Sequence, residues 1–270
     1  SGGLGTLASA TPTSISKATP SFTASQIATP NGGISVRTID LDLDNDMDFV
    51  VAAFDGDAIF WYENNGSQSF TERTVVSSGI DAPREIWPVD LDLDGDMDII
   101  AGIYFDQDLV WFENNGSQSF TKRTIDGSLG GAANSVLAVD LDEDNDLDIV
   151  CGTYGSSILF WFENDGSQSF TRYTISSGLT ASPVAIDLDE DGDLDLVGRV
   201  NDGSERIVWW ENNGSESFTL NQIDNATGGM LSVADLDEDG DYDIITADAT
   251  NGHVNWYANN GSESFTKSTI

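Results

Sequence analysis

Five short acidic blocks recur along the chain and constrain its fold more than any other feature. Each block has aspartate at its first, third, fifth, seventh and ninth positions, and consecutive blocks start 50, 50, 47 and 48 residues apart. A fixed period of this size is typical of proteins built from repeated structural units. The aspartates of the five blocks are Asp40, Asp42, Asp44, Asp46 and Asp48; Asp90, Asp92, Asp94, Asp96 and Asp98; Asp140, Asp142, Asp144, Asp146 and Asp148; Asp187, Asp189, Asp191, Asp193 and Asp195; and Asp235, Asp237, Asp239, Asp241 and Asp243.

Each repeat also contains four short apolar stretches, which in the third repeat lie at 135–139, 149–151, 158–162 and 169–175. They are rich in β-branched and aromatic residues, and no helical periodicity accompanies them. We therefore predict four strands per repeat, named A to D, with the acidic block as the A–B loop. The C–D hairpin turn is predicted at the Asn-Gly or Asp-Gly pairs, which stand at 65–66, 115–116, 165–166, 213–214 and 260–261.

Four antiparallel strands repeated at this interval predict an all-β fold, a β-propeller with five four-stranded blades. The blades are expected at about 34–76, 84–125, 134–175, 182–222 and 230–270. A single blade cannot bury both of its faces, so one tryptophan of strand C and one phenylalanine of strand D are expected to pack between neighbouring blades. These residues are Trp61, Trp111, Trp161, Trp209, Trp256, Phe70, Phe120, Phe170, Phe218 and Phe265.

The first part of the chain differs in composition from the repeats. Residues 1–20 are rich in Ser, Thr, Gly, Ala and Pro, which predicts a flexible linker before a propeller at 21–270. Residues 21–28 contain a sixth copy of the strand D pattern, since Ser21–Ile27 matches Ser264–Ile270. Either copy could complete the last blade. The surplus strand is then an outer fifth strand, a remnant of a longer array, or a donor to the sheet edge of another copy.

Five carboxylates within nine residues repel one another, and the chain has too few Lys and Arg to neutralise them. A bound divalent cation resolves this conflict, and all-oxygen ligands favour Ca²⁺ over zinc, copper or Mg²⁺. Positions 1, 3 and 5 can converge on one ion, and Asn or Gly at position 6 suits a turn with positive φ. Position 7 would contribute its backbone carbonyl and position 9 would close the shell. We predict about five Ca²⁺ ions, one per block; the alternative is a solvated acidic loop without metal.

These motifs resemble a known family. The sequence Asp-Leu-Asp-Leu-Asp-Gly-Asp-Met-Asp at 90–98, its four siblings, and Trp-Phe-Glu-Asn-Asn-Gly-Ser-Gln-Ser-Phe at 111–120 are similar to FG-GAP/VCBS repeats of bacterial secreted proteins. The same calcium loop occurs in the integrin α-subunit propeller. The resemblance covers about residues 21–270 and implies a calcium-stabilised propeller. It implies no activity, because members of the family include adhesins, lectins, enzyme appendages and surface proteins.

Charge and composition limit the partners. The formal charge of −37 argues against nucleic acid, which is itself a polyanion. No apolar run is long enough to insert into a membrane. Calcium dependence together with acidity predicts an extracellular or cell-surface protein whose partner is a glycan, a protein or another copy of itself. Aromatic residues at the start of the B–C loops are the candidate ligand contacts; the alternative is ordinary packing. They are Phe54, Tyr104 and Tyr154.

With a single His, a single Cys and no phosphate-binding loop, the sequence predicts a protein that is not an enzyme. We expect a secreted, calcium-binding adhesion or carbohydrate- or protein-binding module. The alternative is a structural subunit of an extracellular filament or surface assembly, joined by exchange of the N-terminal strand.

Overall fold

The computed structural model describes residues 24–67, 69–178, 182–201, 203–214, 217–225, 229–248, 250–262 and 264–270. Within these ranges the chain forms twenty β-strands and one short 3-10 turn at Phe54–Gly56. The predicted all-β fold is therefore confirmed. The predicted linker, 1–20, and the first residues of the predicted surplus strand, 21–23, lie outside the described residues.

The strands group into five blades of four. Blade 1 comprises β1 (Gly33–Ile39), β2 (Asp48–Ala53), β3 (Ala58–Asn64) and β4 (Phe70–Val76). Blade 2 comprises β5 (Pro83–Val89), β6 (Asp98–Ile103), β7 (Leu109–Asn114) and β8 (Phe120–Asp126). Blade 3 comprises β9 (Ala132–Val139), β10 (Asp148–Tyr154), β11 (Ile158–Asn164) and β12 (Phe170–Ser177). Blade 4 comprises β13 (Val184–Ile186), β14 (Asp195–Asn201), β15 (Glu205–Asn212) and β16 (Phe218–Asn225). Blade 5 comprises β17 (Leu231–Ala234), β18 (Asp243–Asp248), β19 (His253–Ala258) and β20 (Thr266–Thr269).

Every blade is an antiparallel sheet with its strands in the order A, B, C, D. In blade 1, Val50 of strand B pairs with Arg37 of strand A and with Trp61 of strand C. The A strands of neighbouring blades contact one another, as β1 does β5, whereas the D strands are mostly exposed. Strand A therefore lies towards the centre of the array and strand D at its periphery.

The hydrophobic core lies between blades, as predicted from the inability of a single blade to bury both of its faces. Four hydrophobic clusters join blade 1 to 2, 2 to 3, 3 to 4 and 4 to 5. In blades 2 to 4, strand B lies between two such clusters, and all six residues of β6 are buried. The strand C tryptophans of blades 1 to 4 are buried in these clusters, which confirms their predicted packing role. No cluster found among the described residues joins blade 5 to blade 1.

The C-terminal copy of the strand D pattern completes blade 5 as β20. Of the N-terminal copy, the structure describes residues from 24 onward; residues 24–28 are in no strand, and Ile27 is exposed. The reason is local connectivity, since β20 follows β19 through the same hairpin turn that joins C and D in the other blades. Whether 21–28 pairs with another copy stays a prediction. Within the described part of the chain, no helix has the length and apolarity needed to cross a membrane.

Candidate functional site

The five A–B loops share one backbone conformation. The residue at position 6 has positive φ in each loop, at 73° for Asn45 and 96° for Gly95, which confirms the predicted turn. Position 4 also has positive φ, although it is Leu or Glu; φ is 60° at Leu43 and 62° at Glu143. A side chain in this region costs about 1 kcal/mol or more. The loop is therefore held in a conformation that its residue types do not favour by themselves.

Aspartate side chains hold this conformation by accepting hydrogen bonds from backbone N–H groups. In blade 1, Asp40 Oδ1 accepts from Asp44 N at 3.0 Å, and Asp40 Oδ2 accepts from Asn45 N at 2.9 Å. Asp44 Oδ1 accepts from Asp46 N at 2.9 Å. Because the loop curls around its own acidic groups, their remaining oxygens are directed towards one another.

Each loop brings three carboxylates together, with one oxygen of each lying within 4.8 Å of the others. Positions 1 and 3 belong to all five clusters. Position 5 completes the cluster in blades 2, 3 and 5, and position 9 completes it in blades 1 and 4. The clusters are Asp40, Asp42 and Asp48; Asp90, Asp92 and Asp94; Asp140, Asp142 and Asp144; Asp187, Asp189 and Asp195; and Asp235, Asp237 and Asp239.

The donor set fits a hard divalent cation. Asp42 Oδ1 and Asp92 Oδ1 are buried and accept no hydrogen bond, and the same holds for Asp140 Oδ1 in blade 3 and Asp187 Oδ1 in blade 4. Burial raises the pKa of Asp92, and the neighbouring Asp94 carboxylate raises it further. Buried, unpaired and mutually repelling carboxylate oxygens are costly unless a cation lies among them. The aspartate cluster of each blade could therefore hold a metal ion, and all-oxygen ligation is compatible with calcium.

The aspartate at position 9 links the loop to strand C. Asp48 Oδ2 accepts from Leu41 N at 3.2 Å and from Trp61 Nε1 at 2.9 Å, while Oδ1 accepts from Asn64 N at 2.7 Å. Its counterparts accept the same backbone bonds, and burial raises the pKa of Asp98, Asp148 and Asp195 to about 7. This residue is a possible metal ligand, as predicted, and also a buried hydrogen-bond acceptor. The sequence pattern did not indicate its role as a hydrogen-bond acceptor.

The aspartate at position 7 lies against the C–D turn and not in the three-carboxylate cluster. A Cβ at Gly66 would overlap the carboxylate of Asp46, and Gly116 has the same relation to Asp96. Gly66 also has φ of 72°. Glycine is thus needed in this turn both for its backbone conformation and for the close approach of the loop. The A–B and C–D loops consequently lie on the same face of the array.

The three predicted ligand contacts come together on the opposite face, at the B–C loops. The rings of Phe54 and Tyr104 are 5.5 Å apart, and those of Tyr104 and Tyr154 are stacked at 6.2 Å. Phe105, which the repeat pattern did not indicate, lies 5.1 Å from Tyr104, ring centre to ring centre. Phe105 and Tyr154 are 60% and 62% exposed. We call these four residues the aromatic surface; it spans blades 1 to 3.

Polar groups border the aromatic surface. The Arg84 guanidinium lies 5.2 Å from the centre of the Tyr104 ring. Asp57 Oδ1 accepts from Ala82 N at 2.9 Å, and Asp106 Oδ2 accepts from Asp81 N at 3.1 Å. These bonds tie the B–C loops to the start of blade 2 and fix two carboxylates in the same loops as the rings. The surface therefore combines exposed ring faces with fixed hydrogen-bonding groups.

The chain is similar in structure to two known propellers, at low sequence identity. An Agrocybe aegerita lectin, studied for specific recognition of non-reducing terminal N-acetylglucosamine, has a TM-score of 0.61 at 19% identity, covering 88% of this chain and 66% of the lectin chain. The chain thus spans slightly less than two thirds of the lectin's length. BBS1N, in its complex with ARL6DN soaked with lead, has a TM-score of 0.56 at 16% identity, covering 90% of this chain and 71% of the other. These likenesses concern the fold alone.

None of the curated proteins matches the sequence. The FG-GAP-like repeat family does match, over four overlapping segments at 40–101, 90–151, 140–198 and 187–246. Each segment begins at one acidic block and extends beyond the next, so the matches follow the repeat found in the sequence. Repeats of this family are typical of extracellular proteins, and the propeller fold that they form is a common binding module. Together, the matched segments cover most of the chain, which therefore belongs to the FG-GAP-like repeat family.

Proposed function

We propose that this protein is a secreted, non-catalytic, calcium-binding propeller that binds carbohydrate at the aromatic surface. The observation that carries the proposal is the clustering of Phe54, Tyr104, Phe105 and Tyr154, two of them more than half exposed, on the face opposite the acidic loops. Large exposed aromatic side chains that contact one another are uncommon on a surface without a partner.

Charge favours an uncharged sugar over other partners. At −37 the protein repels acidic polysaccharides and nucleic acid alike. A neutral sugar presents an apolar ring face that packs on an aromatic ring, and hydroxyl groups that donate to carboxylates such as Asp57 and Asp106. The similarity in fold to a lectin supports a sugar as the ligand. The proposed binding site itself is inferred from the aromatic surface of this chain. The ligand class is therefore neutral glycans, including N-acetylated ones.

The proposal that the protein is not an enzyme rests on where its candidate nucleophile and base residues lie. His253, the only histidine, is in blade 5, whereas the aromatic surface belongs to blades 1 to 3. Cys151, the only cysteine, is buried, and burial raises the pKa of its thiol to about 12, so it is a poor nucleophile. The acidic side chains of the A–B loops lie on the other face.

Replacing the central ring of the aromatic surface tests the ligand site. We expect Tyr104→Leu to weaken glycan binding about tenfold or more, because it removes the ring on which the sugar would stack. The measurement is calorimetric titration with a neutral glycan chosen from an array. The matched control is Tyr242→Leu, a partly exposed tyrosine in the blade 5 loop, where blades 3 and 4 have Leu147 and Leu194. The proposal is contradicted if no neutral glycan on the array binds the protein, or if both variants bind the glycan with equal affinity.

We further propose that the metal of the acidic loops is Ca²⁺, with one ion per blade. Outside cells Ca²⁺ reaches about 1 mM, a concentration at which modest sites fill. Because each ion cancels two charges, five ions reduce the formal charge from −37 to −27. The cation therefore supports folding of a chain whose own charges oppose compaction.

Loss of a single buried oxygen should remove a single ion. We expect Asp92→Asn to lower the number of bound Ca²⁺ ions from five to four, because Asp92 Oδ1 is buried in its cluster without a hydrogen-bond donor. The measurement is equilibrium dialysis with elemental analysis. The control, Asp165→Asn, removes an equal charge at a hairpin turn where blades 1 and 2 have Asn65 and Asn115, and should retain five. Five ions in Asp92→Asn would show that this carboxylate is not a ligand.

A further inference from the structure

An irregularity in strand A brings an arginine to the aromatic surface. In blade 2 the pairing of strands A and B shifts at Arg84, which is left without a partner in strand B. A bulge of this kind changes the direction in which a side chain points. The Arg84 guanidinium lies 5.2 Å from the centre of the Tyr104 ring. Blades 1 and 3 shift at the same place but have Ile34 and Asn134 there, so among these three blades the cation is specific to blade 2.

The hydrogen-bond donors of Arg84 are unused. A guanidinium has five N–H donors and no acceptor. Arg73, Arg123 and Arg172 each form an ion pair with a carboxylate. Arg84 forms neither an ion pair nor a hydrogen bond with any described residue, and its contact is with the Tyr104 ring. In a chain with 47 acidic and 10 basic side chains, this guanidinium is thus left available to a ligand.

Carboxylates in the same loops limit what Arg84 can bind. Asp57 and Asp106 each accept a hydrogen bond from a backbone N–H, and Asp55 and Asp108 belong to the same two loops. A ligand carboxylate or phosphate would be repelled by these groups, and also by the formal charge of −37. The group that Arg84 binds is therefore a neutral acceptor. In a neutral sugar, the strongest such acceptor is the carbonyl oxygen of an amide.

An exposed apolar ring lies beside this donor. Phe105 is 60% exposed, and its ring centre is 5.1 Å from that of Tyr104, the ring that Arg84 also contacts. Because Phe105 has no polar group, it can only pack against an apolar part of a ligand. A carbonyl oxygen joined to a small apolar group would use both Arg84 and Phe105. The acetamido group of a sugar has this combination, since its carbonyl carries a methyl group.

We infer that Arg84 is a specificity-determining residue, through which the aromatic surface selects sugars that carry an acetamido group. The guanidinium donates to the carbonyl oxygen, and the methyl group packs on Phe105. A hydroxyl group at the same sugar carbon offers a weaker acceptor and no methyl group. The inference rests on the proposed function, since it names the substituent that distinguishes one neutral glycan from another at the same surface.

Two trisaccharides with the same backbone and linkage test the inference on the full-length chain. Triacetylchitotriose has an acetamido group on each ring where cellotriose has a hydroxyl group. By calorimetric titration, the unsubstituted chain should bind triacetylchitotriose about tenfold or more tightly than cellotriose, as expected for a hydrogen bond from a charged donor. Arg84→Leu should remove this preference, by weakening the binding of triacetylchitotriose and changing that of cellotriose much less.

Arg123→Leu is the matched control. Arg123 is also in blade 2 and also lies over an aromatic ring, 5.4 Å from the centre of the Trp111 ring, but it pairs with Glu113 and is outside the aromatic surface. This variant should keep the preference of the unsubstituted chain. A preference that survives in Arg84→Leu would overturn the inference.

A second variant separates failure of the inference from failure of the proposed function. Equal binding of both trisaccharides by the unsubstituted chain would overturn the role of Arg84. If Tyr104→Leu then weakened the binding of both, neutral glycans would still bind at the aromatic surface and the proposed function would stand. Binding of neither trisaccharide would also overturn the inference, and the glycan array would then decide the proposed function.

Discussion

Chelation with EDTA is expected to lower the midpoint of thermal unfolding by tens of degrees. An ion that binds only the folded state contributes about 2.7 kcal/mol at a concentration one hundred times its dissociation constant. Five such sites would contribute a free energy comparable to the whole stability of a typical domain, about 5–15 kcal/mol. The buried, unpaired oxygens of Asp42 and Asp92 would be left to repel their neighbours. Differential scanning calorimetry with and without EDTA measures the effect.

The identity of the ion is tested in the same experiment. Adding back excess Ca²⁺ should restore the original midpoint, whereas an equal concentration of Mg²⁺ should restore it only in part, because Mg²⁺ requires stricter octahedral geometry and retains water. If EDTA does not change the midpoint of thermal unfolding, the acidic loops hold no cation that stabilises the fold.

Trp161→Ala is expected to destabilise the fold by about 3–5 kcal/mol, as truncation of a buried tryptophan generally does. Trp161 is 1% exposed, and its ring lies 5.0 Å from that of Tyr173 and 6.2 Å from that of Phe218 in the next blade. The substitution therefore leaves a cavity between blades 3 and 4. Urea unfolding in excess Ca²⁺ provides the measurement.

Trp256→Ala is the matched control, since Trp256 has the same place in blade 5 but no described blade after it. We expect a cost of roughly 1 kcal/mol, typical of a partly exposed site. The comparison should be made at low protein concentration, so that association does not add to stability. Equal losses for the two variants would mean that the tryptophans act within their own blade and not between blades.

Much of the fold was predictable because the repeat supplies five independent copies of each signal. The Asn-Gly pairs, the short apolar stretches and the strand C tryptophans each indicate one local structure, and the structure confirms them. The placement of the surplus copy at 21–28 was ambiguous, because this segment lacks the A, B and C strands that accompany the other copies. Its sequence matches the pattern of a D strand, but the copy that follows a C strand through a hairpin, β20, is the one that pairs in blade 5.

The site was less predictable where a role depends on distant residues. The positive φ at Leu43 and Glu143 has no signal in those residue types, because it follows from the convergence of aspartates around them. The bonds from Trp61 and Asn64 to Asp48 depend on how strand C packs beside the loop. Phe105 escaped notice because a second aromatic residue occurs at that loop position in blade 2 and no other.

The restriction of the hydrophobic clusters to consecutive blades has a consequence for folding kinetics. Every cluster described joins residues of two adjacent repeats, so no contact in these clusters spans more than about two repeat lengths of sequence. Folding can therefore nucleate at any adjacent pair and propagate in both directions, as in a one-dimensional array. A domain that had to join its first and last strands would instead wait for a slow, high-contact-order step. Insertion or loss of one repeat should accordingly change the refolding rate of this protein little.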